Sequence, residues 1–391
     1  MKVACVGGGP AGLYFSILMK KRDPSHDVTV YERNAAGSTY GWGVTMSKGL
    51  FKKLRRADPE SAAALEASAA RWSSYSIGVR ECTTVKEGWD PGSGIGRRQL
   101  LDILAERARE LGVRIEYEHE ITSEEELADV DLVFAGDGVN SALRQRHADH
   151  FGEKFVVGQN YYVWLGTSKV FEPFTYLFVE TEHGWIWAYG YKYGEDRSTC
   201  IIECAPKTWH GLGFDRMSET DCLRMLEKLF ARILDGHPLM GRVTPGNTAN
   251  WLNFRTLTNR TWHRGNLVLA GDAAHTTHYS IGAGTRLAFG DAAVLARLLH
   301  EDLPLDEALD LYERERKSAL QSTGRAAYRS ARWYEHLPRY VELPPEIMIA
   351  LLGLRRSAVL TFVPPKLYYR FDQASRRLGL KGKKKTAHRG G

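Results

Sequence analysis

Cysteine is scarce in this 391-residue chain, and what there is forms no pattern. The five are Cys5, Cys82, Cys200, Cys204 and Cys222, an odd number with no CxxC spacing. Cys200 and Cys204 fall in an apolar, strand-like run and read as core residues. This argues against dithiol redox chemistry and for a reducing compartment. No apolar run approaches the length of a membrane span. The first strand comes at once, so no signal peptide is expected. The expectation is a soluble, cytoplasmic protein with no membrane partner. No metal-ligating cluster, nucleophilic triad or internal repeat can be picked out. Charge of one sign is also in short supply. The net charge is +6, and part of it lies in the last eleven residues at Lys381, Lys383, Lys384, Lys385 and Arg389. That tail reads as a disordered, solvated end, since no recognition motif for nucleic acid accompanies it. The remaining excess can attract an anionic substrate.

What is present is 43% hydrophobic and 26% charged residues, the composition of a globular protein with a large core. The length suits two or three closely joined domains. The strongest local signal comes first. Val3 to Val6 is a short apolar run, followed by Gly7-Gly8-Gly9-Pro10-Ala11-Gly12 and an apolar helical pattern through Met19. Strand, G-x-G-x-x-G and helix is the dinucleotide-binding order. Gly7 permits the turn, Gly9 lets a pyrophosphate approach, and Gly12 lets helix and strand pack closely. The helix N-terminus offers N–H groups and partial positive charge to phosphates. A second strand, 27–31, ends in Glu32, placed to accept hydrogen bonds from a ribose. Arg33 opens the loop that follows.

Further along, Thr39 to Thr45 interleaves glycine with Tyr40 and Trp42, as loops over flat rings do and as plain glycine-rich turns also do. Residues 47–70 read as helical, 72–87 as strands, 91–96 as a loop, and 97–104 as the start of an amphipathic helix. Val113–Tyr117 and 131–135 read as strands, the second running into Gly136-Asp137-Gly138. From 156 to 204, short alternating β-branched and aromatic runs predict an inserted antiparallel sheet. Residues 218–235 read as helical. Leu267 to Leu269 leads into Gly271-Asp272-Ala273-Ala274-His275, then Gly282-Ala283-Gly284-Thr285 and a helix to about 299. The remainder is mainly helical, broken at Pro338, Pro344-Pro345 and Pro364-Pro365. One G-x-G-x-x-G argues for one dinucleotide site assembled from distant pieces.

Three motifs in order resemble the single-component flavin-dependent aromatic hydroxylases, the para-hydroxybenzoate hydroxylase-like monooxygenases. They are Gly7-x-Gly9-x-x-Gly12 with Glu32; Asp137-Gly138 with Ser141 and Arg144; and Gly271-Asp272-Ala273-Ala274-His275 with Gly282-x-Gly284. The runs Tyr40 to Val44, Trp164 to Thr167 and His278 to Thr285 are similar to one subgroup. It contains salicylyl-CoA 5-hydroxylases, the flavin half of anthraniloyl-CoA monooxygenases, and violacein-pathway hydroxylases. Glu180 to Trp185, Asp235 to Leu239 and Arg332 to Glu346 look closest to the CoA-thioester members. One departure is Tyr279, where most of the wider family has proline.

The resemblance implies an α/β fold: a Rossmann-like FAD-binding domain with a parallel sheet, an inserted antiparallel-sheet substrate domain, and C-terminal helices. The expected division gives 1–72, 95–155 and 256–325 to FAD binding, and 73–94 and 156–255 to the substrate domain. Residues 326–380 form the helices and 381–391 the tail. It implies FAD, reduced by NADH or NADPH, forming a C4a-hydroperoxide with O2 that hydroxylates an aromatic ring. The ring is expected on an acyl-CoA. A tryptophan-derived indolic substrate and a flavoprotein reductase without hydroxylation are the alternatives. Cofactor contacts are expected from Gly7, Gly9, Pro10, Ala11, Gly12, Glu32, Arg33, Trp42, Gly43, Arg97, Asp137, Gly271, Asp272, Gly282, Ala283, Gly284 and Thr285. Arg97 is otherwise a plain surface arginine, and Asp272 can also cap a helix. Gly282, Ala283 and Gly284 can steady a reduced flavin at a helix start. His275 and His278 are either general bases or loop histidines. Trp164, Trp185, Trp187, Tyr189 and Tyr279 either line the substrate pocket or pack the core. Lys48, Lys52, Arg55 and Arg56 either meet CoA phosphates or face solvent. A monomer or homodimer is expected, with no metal and no nucleic acid.

Overall fold

The computed structural model describes residues 1–38, 41–241, 251–360 and 362–377, without the side chains of 89–91 and 376–377. Tyr40 and the 381–391 tail lie outside them.

Two sheets carry the chain. The first has six strands. Lys2–Val6 is central, with Asp27–Glu32 and then Arg114–Tyr117 on one side. Leu132–Ala135, Leu267–Leu269 and His263–Arg264 follow on the other. All pair in parallel except the last. Parallel strands are buried on both faces, which is why Val3, Val30, Val133 and Val268 sit in near-continuous apolar runs. The helices Pro10–Arg22 and Gly284–Leu298 cover one face, joined by an edge contact of Tyr14 with Phe289 at 4.7 Å.

The second sheet has nine strands. Lys154–Thr167, Ser198–Cys204, Gly184–Lys192 and Phe174–Thr181 run antiparallel, and Ala70–Val79 joins Phe174–Thr181 in parallel. Cys82–Gly96 and Gly43–Met46 complete that edge, and Leu252–Thr258 and Leu239–Met240 pair with Lys154–Thr167. The stretch 91–96, expected as a loop, is therefore the end of a strand. Its glycines mark close packing. A Cβ on Gly92 would lie 2.5 Å from the Trp72 ring.

The prolines behave as the sequence reading expects. After the Leu305–Glu335 helix, new helices begin at Pro338, Pro345 and Pro365, the position where a missing N–H costs nothing. Among the described residues no helix is long and apolar enough to cross a membrane.

Candidate active site

The site is built from turns at the C-terminal ends of parallel strands, where open α/β sheets bind ligands. At the first turn, Gly7 has φ +105° and its N–H donates to the Tyr31 carbonyl at 2.8 Å. A Cβ there would sit 2.6 Å from the Gly136 carbonyl oxygen, and one on Gly12 would sit 2.2 Å from the Gly7 carbonyl oxygen. Glycine at these two positions lets strand, helix and the neighbouring Gly136 turn close on one another. Gly9 has no such neighbour within contact distance, so the space beside it is open. It caps the Pro10–Arg22 helix without a side chain, and the N-terminal amides stay available. Glu32 accepts from the Gly8 amide at 2.7 Å and the Asn34 amide at 2.9 Å. Its carboxylate lines a cleft shared with Gly9, Arg97 and Arg98.

The second and third motifs are tied together from behind. Arg144 is fully buried and donates to the Val139 and Ala273 carbonyls at 2.7 and 3.1 Å, with Glu153 at 2.7 Å. Asp137 accepts from the Ala142 amide at 3.0 Å and turns its carboxyl off the cavity wall. Asp291 is buried under the third turn. It accepts from the Gly271 amide at 2.8 Å, His275 Nε2 at 2.9 Å and Arg316 Nε at 2.7 Å. Burial raises its carboxyl, but His275 and Arg316 together bring it below the usual carboxylate range.

In front of these turns lies a cavity of about 680 Å³, within the size range of small-molecule and cofactor sites. Gly9, Pro10, Ala11, Gly43, Arg97, Gly271, Asp272 and the run Gly282 to Thr285 line one end. Burial raises the Asp272 carboxyl, with His275 and Arg97 only partly offsetting it. The surface of Asp272 that remains open faces the cavity. The Gly284–Leu298 helix starts here with no side-chain cap. The other end is the aromatic face of the second sheet, where Trp164, Tyr189 and Tyr279 join Trp72, Tyr176, Tyr191 and Tyr334.

Several expected residues stand elsewhere. His275 is held by Asp291 and stacks on Trp262 at 5.0 Å, behind the wall. His278 is buried against Phe254 and Ser280, and burial drops it to about 3, so it is neutral near pH 7. Trp187 stacks on Tyr334 at 5.6 Å within the core, and Trp185 lies under Arg80. Trp42 packs over Gly166, where a Cβ would come within 2.5 Å of its ring, and its carbonyl accepts from the Arg97 amide at 2.7 Å. Arg33 faces Glu120 at 3.6 Å on the surface. Lys48, Lys52, Arg55 and Arg56 line the exposed side of the Lys48–Ala57 helix, off the cavity wall, and Arg55 pairs with Glu66. The cations in the wall are Arg97, Arg255, Arg355 and Arg356.

Besides Trp72, Tyr176, Tyr191, Tyr334, Arg255 and Arg356 in the wall, two further residues are new to the site. Glu203 is buried beneath the aromatic wall, and burial, with Glu335 adding to it, pushes its carboxyl up to about 7. A lone acid in an otherwise uncharged strand was its signal. Arg355 enters from the C-terminal helices and had none.

Four residues of the wall carry buried polar atoms without partners: Thr277 Oγ1, Trp72 Nε1, Trp164 Nε1 and Tyr189 Oη. These atoms are closed off from the cavity, so the fit to a ligand rests on the turns and helix starts that line it. Two uncapped helix starts, an open glycine turn and a strand-end carboxylate fit a dinucleotide.

Residues 129–327 match the family model described as FAD binding domain. The chain belongs to this family of FAD-dependent monooxygenases. The flavoprotein is 38% identical over 353 residues to salicyloyl-CoA 5-hydroxylase of Streptomyces sp, covering 87% of this chain and 66% of that one. It thus spans just under two thirds of that relative's length. It is 34% identical to the 3-hydroxy-4-methyl-anthranilyl-[aryl-carrier protein] 5-monooxygenase of Streptosporangium sibiricum, over 92% of this chain and 95% of the relative. Its fold is that of 2-methyl-3-hydroxypyridine-5-carboxylic acid oxygenase, with TM-score 0.70 at 19% identity over 94% and 95% of the two chains.

Proposed function

We propose that this flavoprotein hydroxylates an aromatic ring carried on an acyl thioester, with NADH or NADPH and O2 as co-substrates. The observation that carries the reading is the shared cavity, in which a flavin cradle and an aromatic wall face one another. Two relatives are named for hydroxylating aryl groups held on CoA or on a carrier protein. FAD, when bound, supplies electron transfer from NAD(P)H and the activation of oxygen. The amides at Gly9 to Gly12 would hold its pyrophosphate and Glu32 its ribose. Arg97 and Asp272 stand beside that path. Gly282, Ala283 and Gly284 would offer the positive end of a helix to the ring system. The tyrosine and tryptophan wall would orient the substrate ring and keep water out. His275 and His278 serve this reading as braces of the loop. Arg255 and Arg356, both in the wall, would meet an acyl chain leaving the cavity. The Lys48 to Arg56 cluster is within the reading only for a ligand that extends past the wall.

The test is NADH and NADPH oxidation by the FAD-loaded protein with salicyloyl-CoA, anthraniloyl-CoA, free salicylate and tryptophan, with products weighed by mass. Stimulation by a thioester and a product one oxygen heavier is expected. A heavier product from tryptophan alone would move the substrate to the indolic class. Oxidation with no oxygen in any product would leave a reductase.

A further inference from the structure

The Pro365–Arg377 helix has two unlike faces. Tyr368 and Tyr369 pack against the aromatic core of the second sheet, and Asp372, on the same side of a 3.6-residue turn, is buried. Lys366, Leu367, Arg370 and Phe371 occupy the opposite arc and are exposed. Leu367 is 51% and Phe371 70% exposed, and Phe362, just ahead of the helix, is 86% exposed. Large apolar side chains left together in water mark an interaction surface. The charge on this stretch has one sign. No acid occurs between Glu346 and the buried Asp372, while Arg355, Arg356, Lys366 and Arg370 do. The arc also adjoins the cavity. Arg356 is exposed and stands in the cavity wall. Ser357, the next residue, accepts from Tyr368 Oη at 2.7 Å, which fastens the helix to that rim. Arg339 Nη2 donates to the Val363 carbonyl at 3.0 Å and holds the connecting segment.

We infer that the exposed arc of Phe362, Lys366, Leu367, Arg370 and Phe371 is the docking face for an acidic protein domain that delivers the aryl group as a thioester on a flexible arm. The inference rests on the aryl-thioester hydroxylase reading and settles what carries the thioester. Apolar side chains flanked by cations, with no acid of their own, are complemented by a partner with an apolar centre and an acidic rim. A second copy seated on the same arc about a two-fold axis would set these cations against one another. A lipid surface would take apolar and basic groups, but it brings no thioester to the rim. A protein seated here lies beside Arg356, so an arm leaving it has a path along the cavity wall toward the aromatic face. The docked body then holds the thioester at high local concentration, and the cations steer its approach.

The test uses the FAD-loaded protein and salicylate held as a thioester in two forms: on the phosphopantetheine arm of an acidic acyl carrier protein, and on free pantetheine. Aryl group and arm are shared, so a difference between them reports the protein body. At low salt the carrier-protein thioester is expected to show a kcat/KM about ten-fold higher. That advantage should fall as salt passes about 0.1 M, where the screening length is about 10 Å. Lys366→Glu combined with Arg370→Glu should remove it, and Phe371→Ser should weaken it at every salt concentration. Both variants should keep wild-type flavin content and wild-type kcat/KM for the pantetheine thioester, since these side chains lie outside the cavity wall. Equal kcat/KM for the two thioesters, or an advantage that survives the charge reversal, overturns the docking face. A dimer in sedimentation that Phe371→Ser dissociates, with carrier kinetics unchanged, gives the arc to a second copy and overturns it too. Adhesion to phosphatidylglycerol vesicles that the charge reversal abolishes, again with carrier kinetics unchanged, gives it to a membrane with the same consequence. Pantetheine thioester hydroxylated with no gain from the carrier keeps the hydroxylase reading and removes the docking face. Carrier binding in fluorescence anisotropy that the charge reversal abolishes, with no oxygen in any product, does the reverse.

Discussion

Glu203→Gln offers a thermodynamic test that needs no substrate. Burial, with Glu335 adding to it, moves the Glu203 carboxyl from 4.5 to about 7 in the folded protein. That gap is worth about 3 kcal/mol. Below the unfolded value the carboxyl is protonated in both states and contributes nothing. Between the two values the unfolded chain releases the proton and the folded protein keeps it, so the unfolded state gains and stability falls as pH rises. Above the folded value the loss is complete. Glutamine keeps the size and a carbonyl for Asn160, and has no proton to hold. The variant should therefore match the wild type near pH 4.5 and exceed it by about 3 kcal/mol near pH 8. At an unfolding entropy of about 2 cal/mol/K per residue, that is a Tm gain of roughly 4 °C for a chain of this length. Thermal melts of the FAD-loaded proteins at about pH 5 and about pH 8 read it out. A Tm difference that is the same at both pH values, or a wild type more stable than the variant at the higher one, would refute the buried-acid argument.

Three other perturbations probe separate parts of the site. Gly12→Ala places a Cβ 2.2 Å from the Gly7 carbonyl oxygen, so it should lose FAD in a flavin-release assay and cost about 1–3 kcal/mol; retention of wild-type flavin content would contradict the close packing of that turn. Arg144→Met leaves Glu153 without its partner, removes the donor to the Val139 carbonyl and leaves the Ala273 carbonyl only the Asn259 amide at 3.4 Å. A loss of about 3–5 kcal/mol in denaturant titration is expected, and a change under 1 kcal/mol would show that the brace between the second and third motifs is dispensable. Arg255→Ala should raise KM for a CoA thioester more than Lys48→Ala combined with Lys52→Ala, because Arg255 is in the wall and the lysines are outside it; the reverse order would return phosphate recognition to the lysine helix.

The first turn, the Glu32 strand end and the Gly271 to Gly284 loop were legible because each is a local matter. A left-handed φ at Gly7, or a Cβ that Gly12 has no room for, is written into four or five consecutive residues. The two-sheet plan followed from runs of apolar and alternating residues for the same reason. Assigning side chains to the cavity was a different problem. Trp185, Trp187 and Tyr189 alternate along one strand and share one face of it. The sequence marks all three as candidates and ranks none. Only the seating of the C-terminal helices separates them: Tyr334 stacks on Trp187 and closes that end, while Tyr189 is left open to the cavity. His275 and Tyr279, four residues apart in one loop, show the same limit. Asp291, sixteen residues downstream, draws His275 behind the wall, and Glu203, on another sheet, holds Tyr279 within it. Arg355 had no signal because a cation reads as surface until the fold shows it enclosed by tyrosines. Local backbone geometry is encoded in neighbours along the chain. The direction a side chain takes from a loop is set by partners that meet only after the sheets and helices have packed.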